Sequence, residues 1–81
     1  MTKEEIQSMI EAGLPESSVT VEGDDGAHFN AIIISNSFAG SNTLQRQRAV
    51  YATLGGNISN GKIHALSMKT YTEEEANRGE R

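Results

Sequence analysis

A chain of 81 residues supports one domain with one modest core, because at this size only about two thirds of the unfolded surface is buried, which disfavours an interior cleft with its own cofactor. Seven Lys and Arg against eleven Asp and Glu leave a net charge of -4, which argues against a broad phosphate-neutralising surface. The absence of cysteine excludes disulfides and thiolate zinc sites, so two histidines and three methionines are the only soft or borderline metal ligands.

The opening residues Met1-Thr-Lys-Glu-Glu5 lack the basic, apolar and small-residue segments of a secretory signal, and no window approaches the ~18 apolar residues of a membrane span. The expectation is a soluble cytoplasmic protein. Thr2 followed by Glu5 is a capping box, and Ile6, Met9, Ile10, Gly13 and Leu14 recur at three- and four-residue spacing. This predicts an amphipathic helix from Thr2 to Gly13, ended by Gly13 and Pro15, with a narrow apolar stripe. Ser18 to Glu22 alternates as a half-buried strand does, and Gly23-Asp-Asp-Gly26 supplies residues that tolerate positive φ in a hairpin turn. Phe29 to Ile34 is apolar at almost every position and rich in β-branched side chains, which predicts a strand with neighbours on both edges.

Asn36 to Asn42 reads as a loop, with Phe38 pinning it to the core. From Thr43, Leu44, Val50, Tyr51, Leu54 and Ile58 return to helical spacing, and Gly55-Gly56 predict a weak end to that helix near Ile58. Asn60-Gly61 turns the chain into a third strand, Lys62 to Thr70, with His64, Leu66 and Met68 on one face. Thr72 and Glu75 form a second capping box for a short helix. The fold class expected is α+β, in the order α-β-β-α-β-α, with a three-stranded mixed sheet and helices packed on it. Residues 1–76 form the single domain and 77–81 a polar, flexible tail.

No nucleophile elbow, phosphate-binding glycine loop or histidine pair at helical spacing is present, so an enzyme is not expected. Asp24-Asp25 is explained by turn geometry. Arg46 and Arg48, with Lys62, form a positive cluster readable as a nucleic-acid surface or as a solvated helix face that also makes ion pairs; the net charge favours the second. His28 opens the second strand and His64 lies near the start of the third. If those strand ends lie on the same side of the sheet the two imidazoles can approach each other, which spacing alone does not decide. An isolated histidine is more often structural than a ligand.

These residues resemble the BolA-like family, and more narrowly its short IbaG-type members. The matching pieces are His28-Phe29, Phe38-Ala-Gly40, Leu44-Gln-Arg-Gln-Arg48 with Val50-Tyr51 and Leu54, Ile63-His64-Ala65-Leu66, and Tyr71-Thr72 followed by acidic residues. They span nearly the whole chain in the family's order. The resemblance implies an α/β domain similar to the type II KH fold, partnership with monothiol glutaredoxins and glutathione, and a role in iron-sulfur trafficking or iron homeostasis. In the family, the histidine matching His64 is a cluster ligand, and a Cys or His in the loop between the first two strands is often another. A [2Fe-2S] cluster accepts imidazole in place of thiolate on one iron, which raises its potential. The chain departs from the pattern in three places. Glu22 to Ala27 contains neither Cys nor His, Gln47 stands where many members carry histidine, and the tryptophan common after the matching threonine is missing. His28 is then the nearest second ligand, with Asp24 or Asp25 as hard oxygen donors less suited to the cluster.

Two functions are expected in that order. The first is a non-enzymatic adaptor, monomeric or weakly dimeric when alone, that partners a monothiol glutaredoxin and co-ligates a bridging [2Fe-2S] cluster through His64, with His28 as the second candidate. The alternative is a DNA-binding transcriptional regulator using Arg46, Arg48 and Lys62.

Overall fold

The computed structural model describes every residue except 24, 27, 58–64, 80 and 81. Helix α1 (Lys3–Gly13) leads into strand β1 (Ser17–Glu22) and strand β2 (His28–Ser35). A 3-10 turn (Asn36–Phe38) precedes helix α2 (Thr43–Thr53), a second 3-10 turn (Gly55–Asn57) follows it, and strand β3 (Ala65–Tyr71) and helix α3 (Glu73–Asn77) complete the order. The sheet order is β1-β2-β3. Strand β1 pairs antiparallel with β2 from Ser17↔Ser35 to Glu22↔Asn30. Strand β3 pairs parallel with β2 from His28↔Ala65 to Ile34↔Tyr71, so the sheet is mixed and β2 is central, as its apolar run predicts.

Each helix begins on a reciprocal cap. Thr2 Oγ1 accepts from the Glu5 backbone N–H at 3.1 Å while Glu5 Oε1 accepts from the Thr2 N–H at 2.9 Å. The same arrangement recurs at Thr72 and Glu75. It recurs again at Asn42 and Gln45, the last residue of the sequence-read loop and a polar residue of the helix after it. Each box satisfies two of the orphan N–H groups at a helix start.

Helix α2 stops at Thr53 instead of continuing toward Ile58. Leu54 donates its N–H to the Tyr51 carbonyl, tightening the last turn, and Gly55 takes a positive φ of 57° that ends the helix. The first described residue of β3 is Ala65, so the expected turn at Asn60-Gly61 and the expected strand residues Lys62, Ile63 and His64 lie outside the described residues.

The core gathers Ile6 and Ile10 from α1, Val19 and Val21 from β1, Phe29, Ala31 and Ile33 from β2, and Phe38, Val50 and Leu54 from the segment after it. Burying each of the larger side chains contributes about 1.5–3 kcal/mol. Gly13, read from sequence as a helix stop, also has a packing role: a Cβ there would lie 2.6 Å from Thr53 Cγ2, so its hydrogen lets the ends of α1 and α2 meet. No helix among the described residues is long and apolar enough to cross a membrane.

Candidate metal-ligating edge of the sheet

Two parallel strands start from the same end of a sheet and need a crossover between them. Here α2 supplies it, and the consequence is that His28, the first residue of β2, is the register partner of Ala65, the first described residue of β3. The strand ends therefore do lie on one side. His64 is bonded to Ala65 but lies outside the described residues, as do Lys62 and Asp24.

The loop before His28 folds back onto it. Asp25 Oδ1 accepts the His28 backbone N–H at 2.8 Å, and Asp25 Oδ2 lies 2.7 Å from His28 Nδ1. Gly26, between them, has φ 74°, a conformation that strains any residue with a Cβ. Gly23 sits so close to the strand start that a Cβ would lie 2.5 Å from the His28 carbonyl oxygen. Both side chains of the pair are exposed, His28 at 64% and Asp25 at 57%. The sequence places Asp25 as a turn residue or an oxygen donor to metal; in the structure its carboxylate is engaged by His28. The D-x-x-H spacing was the available signal.

Among the described residues there is no group of three or more His, Cys, Asp or Glu that could hold a metal ion. The chain has no thiolate. Among the described residues the sheet edge presents one imidazole, that of His28.

The basic residues divide. Arg46 is 12% exposed, and its guanidinium is bound on several sides. Nε donates to the Ser41 carbonyl at 2.9 Å, and Nη1 donates to the Thr70 carbonyl at 3.2 Å. Nη1 and Nη2 reach Glu75 Oε1 and Oε2 at 2.7 and 3.2 Å, and the group lies 5.6 Å from the Phe38 ring centroid. The Arg46 hydrogen bond and the Thr72 N–H hold the Glu75 carboxyl well below its usual range, at about 2. Arg46 is thus part of the structure's frame: of the solvated, ion-pairing face expected for it, the ion pair is present and the solvation is not. Arg48 is exposed.

Comparison with known proteins agrees with the whole-chain pattern of motifs. The family model described as BolA-like protein matches residues 5–75. The acid stress protein IbaG of Escherichia coli is 39% identical over 75 residues, covering 93% of this chain and 88% of that protein. The DNA-binding transcriptional regulator BolA of the same organism is 39% identical over 49 residues, covering 60% of this chain and 46% of that one. A solved structure of a BolA homologue from Coxiella burnetii superposes with a TM-score of 0.85 at 46% identity, covering 96% of this chain and 99% of that one. A match over nearly the full length in sequence, joined to the same fold, has one meaning: the chain belongs to the BolA-like family.

Proposed function

We propose that this protein is a non-enzymatic cytoplasmic adaptor that binds a monothiol glutaredoxin and co-ligates a bridging [2Fe-2S] cluster in iron-sulfur trafficking or iron homeostasis. His64 is the assigned ligand and His28 the second. The observation that carries the reading is the parallel register His28↔Ala65, which sets the residue bonded to His64 beside the other histidine of the chain. The donor chemistry is consistent with it. A cysteine-free chain adds nitrogen only, and the thiolates come from the glutaredoxin and its glutathione. When bound, such a cluster supplies an electron-transfer or transferable iron-sulfur unit whose potential imidazole ligation raises.

Anaerobic co-purification of the pair with glutathione, followed by visible absorption and circular dichroism, tests the proposal. The expected result is a cluster spectrum that changes on His64→Ala. An unchanged spectrum would sink the ligand role.

The second reading, DNA binding, draws on the name of the Escherichia coli relative and on exposed Arg48. Its weakness is Arg46, whose guanidinium already serves Glu75 and two carbonyls. It predicts steeply salt-dependent duplex binding that Arg48→Ala weakens. No shift of duplex DNA at low salt would dispose of it.

A further inference from the structure

The loop residue Asp25 makes two contacts with one histidine, and the two have different consequences. The bond from the His28 N–H to Oδ1 closes the turn and fixes the carboxylate to the strand start. The 2.7 Å contact between Oδ2 and Nδ1 acts on the ring. An ionised carboxylate only accepts, so in the neutral ring Nδ1 must carry the proton and the lone pair must sit on Nε2.

We infer that Asp25 is a positioning residue that sets His28 as an Nε2 donor at the common starting edge of β2 and β3. A carboxylate on the far nitrogen fixes the tautomer and orientation of a metal-bound imidazole and raises its basicity. Closing the turn uses Oδ1, and a side-chain contact as exposed as 64% and 57% adds little to stability. What the second contact changes is which nitrogen can bind a metal. The identity of that metal, an iron of the shared cluster, rests on the function proposed above; the tautomer does not.

The test separates the two. In the apo protein, at a pH where His28 is neutral, ring 15N shifts should report Nδ1–H for the wild type. Asp25→Asn keeps an oxygen for the backbone N–H but turns an NH2 toward Nδ1, which must then accept, so the proton should move to Nε2 and the two ring shifts should exchange. A cap-only role leaves them unmoved. Amide spectra check that the fold is retained. An unchanged ring pattern in Asp25→Asn overturns the inference whatever the cluster does. In the glutaredoxin complex, Asp25→Asn should alter the cluster's circular dichroism as His28→Ala does; a change on His28→Ala alone also overturns it. An exchanged ring pattern with a cluster spectrum indifferent to both variants upholds Asp25 as the positioning residue and removes His28 from the proposed ligand set.

Discussion

The two ends of the β2–β3 ladder carry the same kind of interaction in opposite settings. At the starting end, Asp25 and His28 meet with both side chains more than half exposed. At the far end, Glu75 and Arg46 meet at 24% and 12% exposure, with the Arg46 guanidinium over the Phe38 ring, and Ser35, the last residue of β2, is fully buried. Ser35 Oγ donates to the Pro15 carbonyl at 3.0 Å, so this end also ties β2 to the turn after α1. Charge-assisted bonds strengthen as water is withdrawn, whereas exposed pairs are worth ~0–1 kcal/mol. The far end is therefore where polar groups hold the fold, and at the starting end the pair adds little to it.

The sharpest way to break that contrast is Phe38→Ala, which empties the floor beneath Arg46 and should cost about 3–5 kcal/mol. Chemical denaturation reads the loss as a lower midpoint. Arg46→Ala comes next, with a smaller drop in the denaturation midpoint, because it removes Glu75's partner and the donors to two carbonyls. The pair also has a pH signature. Glu75 titrates at about 2 in the folded protein against an ordinary 4.5, so its contribution is fully present above about 4.5 and lost as pH falls toward about 2. The stability gap between wild type and Arg46→Ala should narrow over that window, and a constant gap would separate the low pKa from the pair.

At the starting end, Gly23→Ala drives a Cβ into the His28 carbonyl and the Phe29 ring, and should cost about 1–3 kcal/mol by displacing the hairpin arm. Asp25→Ala should be the mildest, within about 1 kcal/mol, since both partners are exposed. A loss of several kcal/mol there would mean that the exposed pair also holds the fold, and the contrast between the ends would fail.

Local signals carried most of the architecture. The boxes at Thr2 and Thr72 and the apolar run of β2 each depend on residues a few positions apart, which is the range over which periodicity speaks. The box at Asn42 and Gln45 follows the same spacing but hides in a polar stretch that composition marks as loop. The end of α2 was obscured because Leu54 and Ile58 continue the helical spacing across a glycine whose left-handed φ overrides it. Arg46 is a different case. Its partner Glu75 is 29 residues away, so no spacing rule joins them, and a charged residue reads as solvated until the fold supplies a partner. Asp25 was visible three residues before His28, yet turn propensity explained it first.

The register that begins at His28↔Ala65 also has a kinetic meaning. The β1–β2 hairpin closes a short loop, but this pairing closes one of 37 residues (65 − 28), and contacts of long sequence separation incur more closure entropy and slow folding. A nascent chain can shape the hairpin and join His28 to Asp25 while β3 is still unmade. The paired edge exists only once the crossover has docked, so under the proposed function ligation there would act as a check that the chain has finished folding.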